Sequence, residues 1–223
     1  MLKYSLPIVD STDVFSVNKI ICIGRNYAEH AREMGHDPDR EPPFFFFKPQ
    51  SALAQNGENF YYPDFSKQVE HELELVVAIG KSGTKIPAAD ATDFIFGFAV
   101  GLDMTCRDIQ KEAKKLGRPW ELAKGFDGSA PCTAIQRGTM HDLGQYGELV
   151  LTRNGNEVQR GNWRDMVWPI PELIAKVSRY IKLEAGDLIF TGTPAGVGPV
   201  QIGDELIARL EGFSQSLKLR VAE

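Results

Sequence analysis

Short apolar runs separated by glycine- and proline-containing polar stretches set the rhythm of this chain. Residues 19–24, 44–47, 73–79, 94–102, 149–153, 188–191 and 205–210 each have the length and composition of a β-strand bounded by turn signals. Phe44-Phe45-Phe46-Phe47 is too short for a helix and too apolar for a strand with one wet face, so burial on both faces is expected. Lys48-Pro49 ends that run, and Lys48 is expected to reach along its stem to solvent. Asn154-Gly155 between two extended segments is a strong hairpin signal. Helical composition is confined to a few stretches. Residues 28–34 stop at Gly35, residues 108–116 stop at Gly117 and Pro119, and a helix opened by Pro171 carries Leu173, Ile174, Val177 and Ile181 as one stripe. The polar segment 37–43 follows the first of these, an arrangement that can move as a lid. No linker interrupts the pattern, so one domain over residues 19–223 is expected behind a polar lead of residues 1–18.

One run breaks the apolar rule. In His71-Glu72-Leu73-Glu74-Leu75-Val76-Val77-Ala78-Ile79 two acids sit two apart at the head of a strand, and strand alternation sends both side chains to one face. Paired carboxylates repel, and burial raises the cost of ionising either. A divalent cation removes both penalties. Asp103, closing the run 94–102, supplies a third oxygen donor, and an all-oxygen set suits Mg²⁺ or Mn²⁺. The ordinary alternative places both glutamates on the wet face of an edge strand, binding nothing. His30 and Glu33, three apart, share a helix face on which a carboxylate can orient an imidazole; elsewhere such pairs decorate surfaces. Arg107 and Gln110 have the same spacing beside Asp103 and can face the same cleft. Residues 120–127 form an irregular loop of polar and bulky groups around Lys124. Thr191 to Pro199 carries three glycines with no helix after it, so it suits a carboxylate better than a nucleotide.

Charge and cysteine usage narrow the classes. The net charge of −5 comes with no dense basic run, which argues against nucleic acid as a partner. No apolar stretch reaches the length of a membrane span. Three widely spaced cysteines, Cys22, Cys106 and Cys132, suggest neither a disulfide framework nor a thiolate metal site, and fit a reducing cytoplasm.

Five stretches, in order, resemble the fumarylacetoacetate hydrolase superfamily. They are Gly24-Arg25-Asn26-Tyr27, His71-Glu72-Leu73-Glu74, Leu102-Asp103-Met104-Thr105-Cys106-Arg107-Asp108, Pro119-Trp120 with Lys124, and Thr191-Gly192-Thr193-Pro194 with Gly196-Val197-Gly198-Pro199. The similarity is to the short single-domain branch of acylpyruvate hydrolases, fumarylpyruvate hydrolases and oxaloacetate decarboxylases. The resemblance implies a β-rich α+β fold, a mixed β-sandwich or roll of the fumarylacetoacetate hydrolase C-terminal domain type with a few flanking helices, usually homodimeric. It implies Mg²⁺ or Mn²⁺ on Glu72, Glu74 and Asp103. By the same resemblance Arg25, Lys124 and Thr193 contact the carboxylate and keto oxygens of a 2-oxo or 2,4-dioxo acid, and Arg107 and Gln110 line its pocket. His30 and Glu33 then hold the lid-helix positions that activate water. The expected reaction is hydrolysis of a C–C bond in an acylpyruvate or fumarylpyruvate, releasing pyruvate through its enolate. Oxaloacetate decarboxylation, tautomerisation or isomerisation uses the same three acids. A silent metal-binding scaffold remains the non-enzymatic alternative, although a scaffold needs none of Arg25, Lys124 and Thr193.

Overall fold

A computed structural model describes residues 4–28 and 44–223. The helix expected over residues 28–34, the lid loop 37–43, and with them His30 and Glu33, lie outside the described residues, apart from Ala28. The rest is a β-rich α+β fold, as expected. Its largest sheet runs Phe44–Lys48, Ile20–Gly24, Leu188–Phe190, Leu73–Ile79, Ile95–Leu102, Ala130–Cys132, Leu53–Gln55, with Gln136–Arg137 pairing on Ile95–Leu102. Two of its pairings are parallel and the others antiparallel, so the sheet is mixed. A five-stranded sheet runs Asn156–Gly161, Leu149–Arg153, Glu205–Leu210, Ser216–Ala222, Asn59–Tyr61.

Alternation along Leu73–Ile79 explains how the layers stack. Leu73, Leu75, Val77 and Ile79 enter a core shared with Leu149, Leu151, Leu206, Ala208 and Leu217 of the five-stranded sheet. Val76 and Ala78 enter a second core on the opposite face, with Ile20, Cys22, Leu188 and Phe190. Burial of both faces is why this strand is an apolar run, and it makes residue 74, in phase with 76 and 78, a buried position.

The hairpin forms at Asn154-Gly155, whose φ values of 53° and 79° suit the tight turn. The helix expected over 108–116 spans Arg107–Leu116 and ends on Gly117 at φ 62°. In the Ile170–Val177 helix Leu173, Ile174 and Val177 are buried, while Ile181 lies beyond its end. Two expectations need correction. Residues 71–79 are not one strand: Val69–His71 belongs to a three-stranded sheet with Gly198–Pro199 and Thr105–Cys106, and Glu72 is the joint to Leu73–Ile79. Phe44–Lys48 is not buried on both faces; it ends its sheet, and Phe47 is 43 % exposed. Within the lead, Ser5–Pro7 and Val14–Ser16 pair as a two-stranded sheet whose Leu6 and Phe15 enter the second core.

Candidate metal centre and substrate cleft

The antiparallel register sets Leu73 against Leu102, and Asp103 N donates to Glu72 O at 2.8 Å, so residues 72 and 103 face each other across the strand ends. Side chains directly opposite in a ladder share a face. Glu72, Glu74 and Asp103 are all buried, and each offers a carboxylate oxygen within 4.8 Å of the others.

Cations surround this cluster. Lys124 Nζ donates to Glu72 Oε2 at 2.9 Å and to Asp103 Oδ2 at 2.8 Å. Burial alone would lower its pKa; the charges of Asp103 and Glu72 overcome that and hold it at about 12. Arg107 spends its guanidinium on Glu70 at 2.6 Å, Gln110 at 2.6 Å and Glu72 Oε1 at 2.5 Å. Among the described residues, Glu74 receives a hydrogen bond from the Gly192 amide alone, at 2.8 Å. Burial first, then repulsion from Asp103 and Glu72, pushes its pKa well above the usual carboxylate range.

Lys48 departs from expectation. It is 2 % exposed, because alternation at the sheet's end turns it inward, and its ammonium donates to Met104 O, Lys124 O, Ser129 O and Ser129 Oγ. It lies 2.8 Å from Asp103 Oδ1 as an ion pair, yet that oxygen is buried without an aligned hydrogen-bond donor. An acceptor in this state, beside a carboxylate that burial drives toward protonation, fits a hard divalent cation.

The cleft opens outward from the acids. Arg25, Arg107, Gln110, Lys124 and Thr193 all line it with them, so every expected site residue among the described ones gathers there. Arg25 sits at φ 58°, directly after the Ile20–Gly24 strand, with its guanidinium 5.5 Å from the Phe44 ring centre. A non-glycine residue at positive φ is held there by its surroundings, a feature that clusters at functional sites. Thr193 hangs on the loop after Leu188–Phe190, which is tied to the ligand strand by Thr191 N and Oγ1 donating to Leu75 O. Lys124 lies on a one-turn helix, Glu121–Lys124, where an irregular loop was expected. Sequence reasoning missed Lys114, although Arg107, Gln110 and Lys114 continue a single helical face and all three line the cleft. It also missed Glu70, although Glu70, Glu72 and Glu74 alternate at one spacing, and it missed Lys48 and Gln159, for which no local spacing gives a signal.

A curled, mixed β-fold that buries three acids beside a lysine at the base of a cleft defines a metal-dependent enzyme with a carboxylate metal site. Residues 19–221 match the family model "Fumarylacetoacetate (FAA) hydrolase C-terminal". The chain is 43 % identical over 206 residues to the mitochondrial oxaloacetate tautomerase FAHD1 of Mus musculus, covering 92 % of each. It superposes on a crystal structure of fumarylpyruvate hydrolase from Pseudomonas aeruginosa in complex with Mn²⁺ and pyruvate, with TM-score 0.93 and 41 % identity over 100 % of this chain and 97 % of that one. A 5-carboxymethyl-2-hydroxymuconate delta-isomerase from Mycobacterium smegmatis matches with TM-score 0.82 and 34 % identity over 98 % of this chain and 81 % of that one. The chain belongs to the fumarylacetoacetate hydrolase family.

Proposed function

We propose that this protein hydrolyses the C3–C4 bond of a 2,4-dioxo acid of the acylpyruvate or fumarylpyruvate type, giving pyruvate and a carboxylic acid. The observation that carries this reading is the site itself: Glu72, Glu74 and Asp103 converge under Lys124, at the base of a cleft also lined by Arg25, Arg107 and Thr193. The Pseudomonas aeruginosa relative with Mn²⁺ and pyruvate supports both the ion and the three-carbon product.

Mg²⁺ or Mn²⁺ held by the three acids supplies Lewis-acid stabilisation of the negative charge that develops as the bond breaks. The chain's own groups do the rest. Arg25 and Thr193 hold the substrate carboxylate, Arg107 and Gln110 form the wall beside Glu72, and Lys124 donates to developing charge on the keto oxygen. His30 and Glu33 take a proton from a water that adds to the C4 carbonyl, base catalysis worth roughly 10²–10⁴-fold. When C3–C4 breaks, its electron pair passes to the pyruvate fragment, which gains a proton at C3, while C4 leaves as the new carboxylic acid.

The identity to oxaloacetate tautomerases favours a second reading, proton transfer or decarboxylation on oxaloacetate with the same acids. Neither needs an aimed water. Purified protein given Mg²⁺ with acetylpyruvate, fumarylpyruvate and oxaloacetate, as wild type and as His30→Ala, separates the two. A loss of about 10²-fold or more in acylpyruvate cleavage with oxaloacetate turnover retained is expected; cleavage unaffected by the substitution removes His30 from the mechanism. Cytoplasmic placement and a homodimer complete the reading. The first is supported by three buried, unpaired cysteines. The second is supported by exposed Phe47 and by Tyr180, whose ring lies 5.9 Å from that of Phe45, and light scattering is expected to return twice the chain mass.

A further inference from the structure

The five-stranded sheet contributes one buried polar side chain to the site region, Gln159, at 2 % exposure. It sits at an irregularity in the hairpin. Leu151 pairs with Gln159 but Thr152 pairs with Glu157, so Val158 is an extra residue, and such a bulge re-aims the side chain that follows it.

All four hydrogen-bonding positions of the Gln159 amide are used. Nε2 donates to Thr193 Oγ1 at 2.7 Å and to Pro194 O at 2.9 Å; Oε1 meets Leu73 N and His71 Nδ1, both at 3.1 Å. A proline carbonyl can only accept, which fixes the amide's orientation and leaves His71 Nδ1 as the donor to Oε1. Leu73 N belongs to the Glu72–Leu73 peptide, whose carbonyl accepts from Asp103 N at 2.8 Å. That peptide is therefore held at one end by the second ligand strand and at the other by Gln159. Two glycines bring the loop down onto the bulged strand. A Cβ on Gly161 would lie 2.3 Å from Pro194 Cβ, and one on Gly196 would lie 3.3 Å from Gln159 Cα.

We propose that Gln159 is a positioning residue that locks the Glu72 joint to the Thr193 loop, so that a metal ligand and a substrate-binding hydroxyl are set as one unit. This rests on the reading of Glu72 as a ligand and Thr193 as a substrate contact. It touches neither ion nor substrate, and it acts through both elements.

The test measures Mn²⁺ binding to the metal-free protein, pyruvate binding to the Mn²⁺-loaded protein, and melting temperature. Gln159→Met removes all four bonds and is expected to weaken Mn²⁺ binding by about tenfold, the usual cost of losing an outer support of a metal site. Gln159→Glu keeps acceptors for Leu73 N and His71 Nδ1 but sets a carboxylate oxygen against Pro194 O. Mn²⁺ affinity should stay at the wild-type level while pyruvate binding weakens by roughly tenfold. Combining Thr193→Val with Gln159→Glu should weaken pyruvate binding by less than the sum of the two single losses, because both disturb the same connection while only Thr193→Val also removes the substrate contact. Should Gln159→Met fail to fold, the glutamate variant and this cycle decide. Variants that lose melting temperature but bind Mn²⁺ and pyruvate as wild type does, or a cycle whose losses add, overturn the inference. Wild-type protein that binds no Mn²⁺ overturns the functional reading, and this one with it; wild-type binding matched by every variant overturns this one alone.

Discussion

Glu74 shows what the site costs when no cation neutralises it. Its carboxylate is buried beside two other acids with a single backbone donor among the described residues, so the charged form is disfavoured. Glu74→Gln keeps the shape and removes the charge. The metal-free variant should melt no lower than the metal-free wild type. Mn²⁺ at a hundred times its dissociation constant should stabilise wild type by about 2.7 kcal/mol and the variant by far less. Scanning fluorimetry with and without Mn²⁺ reads both, and equal gains would remove Glu74 from the ligand set. The three acids were legible in sequence because an acid at i and i+2 in an apolar run violates the pattern around it. Lys48 was not. A lysine after four phenylalanines looks like a strand end reaching for water, and only the register that places it opposite Ile20, facing Asp103, shows otherwise. Lys114 was within reach, one helical turn past Gln110.

Among elements, the hairpin and the two longer helices were readable from turn residues and periodicity, since their cause is local. The break at residue 72 was not, because it arises from partners distant in sequence: Gly198–Pro199 on one side, Ile95–Leu102 on the other. The Val158 bulge, and with it Gln159, was hidden for the same reason. A different long-range tie fixes the approach to the Ile20–Gly24 strand. Lys19 Nζ lies 2.9 Å from Glu184 Oε2 and 3.1 Å from Asp187 Oδ2, beside the turn into Leu188–Phe190. The hydrogen bond from Lys19, then that from Lys182, holds the Glu184 pKa at about 2, below its unfolded value. A depressed pKa means that the unfolded chain binds the proton more readily, so this contribution is complete above about pH 4.3 and disappears as pH falls towards 2. The melting temperatures of wild type and Glu184→Gln should differ at pH 6 and converge on acidification across that window. A gap independent of pH would show that the pair contributes no linked stability.

At the scale of the molecule, two cores share the eight-stranded sheet, and the amino-terminal strands close the second of them. Phe15 is 6 % exposed, its ring 5.2 Å from that of Phe96, although it precedes the stretch that matches the family model. Phe15→Ala should destabilise the protein by about 3 kcal/mol or more, measured as a lower urea midpoint with an unchanged slope. A cost under about 0.5 kcal/mol, the range of an ordinary surface substitution, would mean that those strands are accessory. Composition read this segment as a polar lead because its apolar residues are few and spaced, and only packing reveals their common face. Within the same architecture, the single residue Glu72 links Val69–His71 of the three-stranded sheet to Leu73–Ile79 of the eight-stranded one. Two residues, Asp103 and Met104, make the other short link, from Ile95–Leu102 to Thr105–Cys106, so torsion between those sheets passes through the backbones of Glu72 and Asp103 and alters the bite of both carboxylates. A paramagnetic Mn²⁺ there would act as a built-in gauge, its zero-field splitting reporting deformation of the whole β-framework from a single point.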